Sequence, residues 1–253
     1  MPFDPFGDFS TAGYLRNIEA EQDIDLVKAQ EKVFFEAHLE EALAFLRAIR
    51  GPVAYAHFRE VHAILFREFY PWAGQDRQQL AVATQVSKGG VVDFEQAALI
   101  GQAVQWGLTM GNDVERMRQR PGAVMGAFAW AHPFLDGNGR AMMLVHTELC
   151  RRAEILIDWP STNKAAYLGA LTAELKHPDA KHLDSYLAPF VRKSGRADDL
   201  VTQLRELPGL DGLTAASADD ITYDASDEKA MASYLETKRS RGEERDTTGE
   251  TRA

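Results

Sequence analysis

The sequence lacks the features that mark secreted and membrane proteins. Only one of its 253 residues, Cys150, is a cysteine, so an intramolecular disulfide is excluded. No stretch approaches the ~18 consecutive apolar residues of a membrane span. The first residues carry neither the basic region nor the apolar region of a signal peptide. We therefore expect a cytoplasmic protein with no membrane partner.

Two motifs of common enzyme classes are also absent. The sequence contains no Gly-x-x-x-x-Gly-Lys-Ser/Thr phosphate loop and no His-Glu-x-x-His zinc motif. His57 and His62 are five residues apart, so they do not share a helix face as a pair of zinc ligands would. We expect Cys150 to be a core thiol. We expect the tryptophans to lie in the core as well: Trp72, Trp106, Trp130 and Trp159.

The chain is acidic, with a formal net charge of -10 and an isoelectric point near 5.2. A protein of this charge repels nucleic acid, so we expect no nucleic-acid partner. A length of 253 residues is enough for one substantial hydrophobic core with an appendage.

Composition divides the chain into three parts. Residues 1–17 are rich in Pro and Gly, and we expect them to be partly ordered at best. Residues 18–195 form the predicted domain. Residues 196–253 hold 14 Asp/Glu and 8 Lys/Arg but no Phe or Trp, so they bury too little apolar surface to offset the entropy of ordering. We expect this tail to be largely disordered, with a short helix around 227–237.

Apolar residues recur at steps of three and four through most of the domain, which predicts an all-α bundle. Residues 78–92 differ, because β-prone residues there flank a Lys-Gly-Gly turn and favour a short hairpin or flap. The helical stretches are 18–50 (one or two helices), 53–70, 94–111, 123–131, 140–153, 162–175 and 182–193.

One segment, His132-Pro133-Phe134-Leu135-Asp136-Gly137-Asn138-Gly139-Arg140, concentrates polar chemistry at the start of a predicted helix. Gly137 and Gly139 permit positive φ and leave backbone N–H groups open to an anion. The helix that follows adds the positive end of its dipole. Asn138 offers an amide donor, and Arg140 offers a forked cation that suits phosphate oxygens.

The same segment supplies an acid and a base. Asp136 would repel a phosphate unless a bridging Mg²⁺ joined them. His132 titrates near neutral pH and is a good general base, while Phe134 most simply anchors the loop in the core. The alternative is a plain helix–turn–helix corner, in which Asn-Gly makes the turn, Asp136 caps a helix and His132 is a core histidine.

Residues 132–140 match the Fic (filamentation induced by cAMP) motif, His-Pro-Phe-x-Asp/Glu-Gly-Asn-Gly-Arg, at every fixed position. Residues 58–77 and 86–90 also resemble the family, in the segment before its flap and in the flap. The resemblance covers about 12–193 and implies an all-α bundle with a small β-hairpin flap over the active site.

The resemblance also implies an activity, the transfer of AMP from ATP to a Ser, Thr or Tyr hydroxyl of a target protein. By position, His132 would be the catalytic base and Asp136 would hold Mg²⁺. The nucleotide-binding residues would be Asp136, Gly137, Asn138, Gly139 and Arg140. The flap residues that bind the target backbone would be Val86, Ser87, Lys88 and Gly89.

Two positions bear on the donor. Relatives that phosphorylate carry Lys where this chain has Gly139, which favours nucleotidyl transfer. Many members have a second Arg where this chain has Met143, so another donor (UTP or a phosphocholine nucleotide) and a non-catalytic nucleotide-binding or partner-binding module remain alternatives. Arg151 or Arg152 is a candidate for the missing charge. The family's inhibitory pattern is incomplete at Thr202, so a separate antitoxin-like inhibitor is a further expected partner.

Overall fold

The computed structural model describes residues 17–81, 85–88, 92–193, 201, 204, 221–224 and 228–243, and most of its regular structure is helical. The prediction of an all-α fold is therefore confirmed. The helices are α1 (Ile24–Ala48), α2 (Tyr55–Phe66), α3 (Ile100–Gly111), α4 (Val114–Gln119), α5 (Pro121–Ala131), α6 (Asn138–Arg152), α7 (Lys164–Lys176), α8 (His182–Leu187) and α9 (Glu228–Ser240). The strands are β1 (Gln85–Lys88), β2 (Val92–Asp93), β3 (Ile155–Ile157), β4 (Val191–Lys193) and β5 (Ile221–Asp224).

The region predicted as one or two helices at 18–50 is a single helix, α1. Its N-cap is Asp23, whose carboxylate accepts hydrogen bonds from the backbone N–H groups of Asp25 and Leu26 at 2.9 and 3.2 Å. It ends before Gly51-Pro52, which cannot continue a helix. The result is a long scaffold that packs on α2 and α6.

Helix α5 is the central element of the bundle. Nearly all its side chains are buried, and it packs on α3, α6, α7 and α8. A helix that is apolar on all sides is stable only when other elements surround it. The segment 132–137 that leaves its carboxyl end therefore starts deep in the fold.

The hairpin predicted at 78–92 is confirmed by the antiparallel pairing of β1 with β2, in which Ser87 lies opposite Asp93. Gly89 lies outside the described residues. Strand β5 pairs with the other edge of β1, giving the strand order β2-β1-β5. The pair β3–β4 was not predicted, and its strands are only three residues long.

The predicted helix at 182–193 is wrong beyond Leu187, because Pro189 lies in a 3-10 turn and residues 191–193 form β4. The helix predicted around 227–237 is present as α9, whereas β5 was not predicted. Apart from Asn17, the segment 1–17 that was predicted to be partly ordered lies outside the described residues, and so does most of the rest of the tail that was predicted to be disordered. Among the described helices, none is both long and apolar enough to cross a bilayer.

Candidate active site

The bend between α5 and α6 brings the motif residues to one place. His132 ends α5 in the left-handed region, with φ of 40°, and Gly137 precedes α6 with φ of 73°. A left-handed backbone is costly for a residue with a side chain, and such strain is kept only when the surroundings enforce it. The contacts of the bend with the rest of the fold are therefore central to the site.

Arg77 holds the entry to the bend. Its buried guanidinium donates to the carbonyl oxygens of His132, Glu95 and Ala131 at 2.7, 2.6 and 3.2 Å. Its backbone N–H donates to Pro133 O at 2.8 Å. A cation at the carboxyl end of α5 both satisfies the last carbonyl groups and complements the helix dipole. The resemblance to the Fic family places Arg77 in the segment before the flap but gives this residue no role.

His62 contacts the end of the bend, where the chain enters α6. Its Nδ1 accepts the Gly74 N–H at 2.9 Å, so Nε2 bears the proton and donates to Asp136 O at 3.0 Å. Its ring stacks on Phe134 with centroids 3.8 Å apart. Burial lowers the pKa of His62 to about 3, so the ring is neutral. Sequence reasoning considered His62 only as a metal ligand and missed this role.

Phe134 is fully buried, so its predicted role as the anchor of the loop is confirmed. The Asn138 side chain closes the bend by accepting from Phe134 N at 2.8 Å and donating to Phe134 O at 2.7 Å. The predicted amide donor is thus engaged within the loop. The backbone N–H groups of the first turn of α6 remain, and such groups have no intrahelical acceptor.

Gly137 and Gly139 serve different purposes. A Cβ on Gly137 would lie 2.5 Å from the Phe66 ring, so the bend requires glycine there for space as well as for its φ. A Cβ on Gly139 would meet nothing within 4 Å. The amino end of α6 therefore faces open space at Gly139, where an anion could approach the backbone.

The His132 ring is partly buried and stacks on Phe94, with centroids 3.8 Å apart. Asn138 Nδ2 lies 3.2 Å from His132 Nε2 and donates to it, which leaves the proton on Nδ1. Burial, together with the charges of Arg77 and Lys88, holds the pKa of His132 well below its usual value. The ring is therefore neutral at pH 7 and can accept a proton.

Arg140 is buried in an ion pair that the sequence did not predict. Its Nη2 lies 3.0 Å from Glu31 Oε1 on α1, and its guanidinium stands 4.7 Å over the Phe66 ring. The hydroxyl of Tyr70 donates to the same Glu31 oxygen at 2.8 Å. Arg140 Nη1 is buried and has no acceptor among the described residues. A buried donor without a partner is costly, and a phosphate oxygen would satisfy it.

The carboxylate of Asp136 is half-exposed at the rim of the bend. Its Oδ1 accepts the Gly137 N–H at 2.5 Å and lies 3.6 Å from Arg140 Nη2. Among the described residues, no cluster of three or more His, Cys, Asp or Glu could hold a metal by itself. A single carboxylate still suits Mg²⁺ when phosphate oxygens supply the other ligands.

Strand β1 of the flap lies close to His132. Val86 is buried and packs with Phe94, the residue on which the imidazole stacks, and the charge of Lys88 acts on that ring. Ser87 and Lys88 are partly exposed. The flap and the bend therefore form one continuous site.

The structure corrects two predictions at the margins. Arg151 and Arg152 do not face the bend, because each binds Glu148 at 2.7 Å and α6 carries them about 20 Å from its first residue. Trp106 is 52% exposed rather than in the core, unlike Trp72, Trp130 and Trp159.

Cys150 is a core thiol as predicted, and burial raises its pKa. Met143 packs in the hydrophobic core.

Comparisons of the sequence and of the fold with known proteins all find similarity to the same family. Residues 52–150 match the model of the Fic/DOC family. The chain is 28% identical over 158 residues to the protein adenylyltransferase VbhT of Bartonella schoenbuchensis, a match that covers 62% of this chain and 32% of VbhT. It is 26% identical over 171 residues to a protein of Sinorhizobium fredii named "Probable protein adenylyltransferase y4lH", and this match covers 62% of this chain and 81% of y4lH. The chain thus spans about a third of VbhT.

Solved structures share the fold at lower identity. The amino-terminal Fic domain of a VirB-translocated effector of Bartonella quintana, with bound ADP, superposes with a TM-score of 0.58 at 20% identity over 74% of this chain and 94% of that one. BepC of Bartonella tribocorum, with bound AMPPNP, gives 0.57 at 18% identity over 72% of this chain and 93% of that one.

Proposed function

Because residues 52–150 of this chain form a domain of the Fic/DOC family, we propose that the protein is an adenylyltransferase that moves AMP from ATP to a Ser, Thr or Tyr hydroxyl of a target protein. The observation that supports this most is the bend itself. It places a neutral imidazole, His132, beside the open amino end of a helix. A pure binding module would need the anion site but not a base.

In the proposed reaction the target hydroxyl attacks the α-phosphorus of ATP. A bond forms between the target oxygen and phosphorus, the bond to pyrophosphate breaks, and His132 takes the hydroxyl proton. The low pKa of His132 without substrate makes it a weak base, but the negative charge of bound phosphates raises that pKa toward the working range. Catalysis is then mainly positioning and charge stabilisation.

The nucleotide phosphates would lie at the amino end of α6, against the backbone of Gly137, Asn138 and Gly139. Arg140 would share its guanidinium between Glu31 and a phosphate, through the Nη1 donor that lacks an acceptor in the described fold. Asp136 would hold Mg²⁺, which neutralises phosphate charge when bound.

The target would bind by adding a strand to the flap, because β1 lies close to His132 and its outer edge pairs with an extended antiparallel segment. The flap residues in this proposal are Val86, Ser87, Lys88 and Gly89, the last outside the described residues. A separate antitoxin-like inhibitor remains a prediction.

The test uses ATP labelled at the α-phosphate, with Mg²⁺ and a cell lysate. We expect labelled protein with the wild type and none with His132→Ala. His177→Ala is the matched control, because His177 is exposed and outside the bend, and it should label normally. ATP labelled at the γ-phosphate should give no label that depends on His132, because that phosphate leaves with pyrophosphate.

Repeating the assay with α-labelled UTP tests the donor, since Met143 offers no charge for a γ-phosphate. Label from UTP but not from ATP would replace AMP transfer with UMP transfer. Nucleotide binding without label from either donor would support a non-catalytic module.

A further inference from the structure

The outer edge of the flap is occupied by the chain itself. Strand β5 runs antiparallel to β1, with Thr222 opposite Ser87 and Tyr223 opposite Val86. Strand β2 takes the other edge of β1. Within the described residues, β1 thus has strands on both sides, and the edge that a target strand would use is covered by residues 221–224.

A polar clamp on α9, formed by Ser233, Tyr234, Thr237 and Lys238, ties this segment to the flap. Ser233 and Thr237 donate to one oxygen of Asp93 in β2, at 2.8 and 3.1 Å. Tyr234 and Lys238 donate to the two oxygens of Glu95 at 2.6 and 2.9 Å. The clamp therefore binds the last residue of the hairpin and the residue two positions after it.

Outside this clamp α9 buries little apolar surface. Tyr234 is the one fully buried side chain that α9 contributes, while Met231 and Leu235 are exposed. A cavity of about 850 Å³, lined in part by Trp106, Met110 and Leu235, lies between part of the helix and α3. Elements that bury little apolar surface open at low free-energy cost. Ser240 and Arg241 add hydrogen bonds to the carbonyl groups of Lys176 and Leu175, but these contacts bury little apolar surface. We therefore expect the clamp and strand β5 to open before the bundle unfolds.

We propose that Ile221–Asp224 is an internal occupant of the target-binding edge, so that a target strand binds to β1 only after this segment has left. The occupant shows that the edge accepts an extended segment in antiparallel orientation. This inference rests on the proposed function, because it assumes that the target binds by strand addition.

The register of the β1–β5 pairing defines two proline variants in β5, one that should break the pairing and one that should not. Phe94 N donates to Val86 O, so the backbone groups of Val86 and Lys88 face β2, and those of Ser87 face β5. By the same alternation the N–H of Thr222 faces β1, and the N–H of Tyr223 faces away. Proline removes a backbone donor, so Thr222→Pro breaks the pairing, whereas Tyr223→Pro is tolerated on an outer edge.

The first measurement is residue-resolved amide hydrogen exchange on the full-length protein. We expect exchange at Ser87 to be about five-fold faster in Thr222→Pro, the factor that follows from losing one backbone hydrogen bond. The Lys88 amide, which faces β2, should not change. Tyr223→Pro should leave both amides as in the wild type. Unchanged exchange at Ser87 in Thr222→Pro would overturn the proposal.

The second measurement is the transfer of label from α-labelled ATP to lysate proteins. We expect about five-fold faster labelling with Thr222→Pro and the wild-type rate with Tyr223→Pro. Lys238→Ala should act in the same direction through the clamp, with the exposed Glu236→Ala as its control. Equal labelling by all variants would refute the internal occupant while leaving the activity intact. An absence of label from every variant would instead refute the proposed function and this inference with it.

Discussion

The buried pair of Glu31 and Arg140 should make the stability of this fold depend on pH in a defined window. Burial raises the pKa of Glu31 from 4.5 to about 7, although Arg140 and the hydroxyl of Tyr70 oppose the rise. The folded state then holds a proton that the unfolded state releases between these values. The contribution of Glu31 to stability is fully present below about pH 4.5 and is lost as pH rises through about 7.

The size of the effect follows from the two pKa values. A pKa difference of about 2.5 corresponds to about 3 kcal/mol in the free energy of unfolding. Glu31→Gln removes the titration but keeps an oxygen that can accept from Tyr70 and Arg140. We therefore expect the wild type to lose about 3 kcal/mol more than the variant between pH 4.5 and 8.

Urea unfolding followed by circular dichroism at several pH values measures this difference. Glu41→Gln is the matched control, because Glu41 pairs with Arg67 at 2.9 Å but both side chains are about half exposed. An exposed pair contributes little, so this variant should follow the wild type. Parallel pH profiles for wild type and Glu31→Gln would refute the reasoning. They would mean that attraction to Arg140 outweighs burial and keeps Glu31 ionised throughout.

Three further substitutions test the bend. Gly137→Ala should cost about 2–4 kcal/mol of unfolding free energy, from its positive φ and its contact with Phe66. In contrast, Gly139→Ala should change the free energy of unfolding by no more than about 0.5 kcal/mol. It should weaken ATP binding, measured by calorimetry, because the added methyl group fills the open side of the anion site. Equal losses of stability in Gly137→Ala and Gly139→Ala would contradict this reasoning. Arg77→Lys should cost about 2–3 kcal/mol in urea unfolding, since a lysine cannot reach three carbonyl groups with one planar fork. A wild-type midpoint would show that the bend does not depend on Arg77.

The parts of the site that the sequence predicted are those adjacent along the chain. Residues 132–140 form a bend because glycine and helix-start signals act over a few residues, and local sequence determines such turns. The flap was predictable for the same reason, from β-prone residues on both sides of a Gly-Gly turn. Strand β5 was not, because an isolated strand is stable only beside a partner, and its partner lies more than 130 residues away.

The residues that sequence reasoning missed reach the bend from other elements. Glu31 lies on α1, His62 on α2 and Arg77 in the loop after α2, all more than 50 residues before His132. Periodicity reports which positions face the core, but it does not report what a polar residue there will meet. The phosphate-binding role of Arg140 stays a prediction, but its contact with Glu31 was not predicted for this reason, since Glu31 is 109 positions away.

A usable signal was nevertheless present in two helices. Glu31 stands in the same row of α1 as Val27 and Phe35, and His62 stands between Phe58 and Phe66 in α2, at steps of four residues that mark a buried face. A polar group on such a face costs free energy unless a partner satisfies it, so each predicts a buried hydrogen-bonding neighbour. Both neighbours belong to the motif 132–140, Arg140 for Glu31 and the Asp136 carbonyl for His62. The helices α1 and α2 therefore hold the strained backbone of the site, and the site in turn supplies the partners that their buried polar groups need.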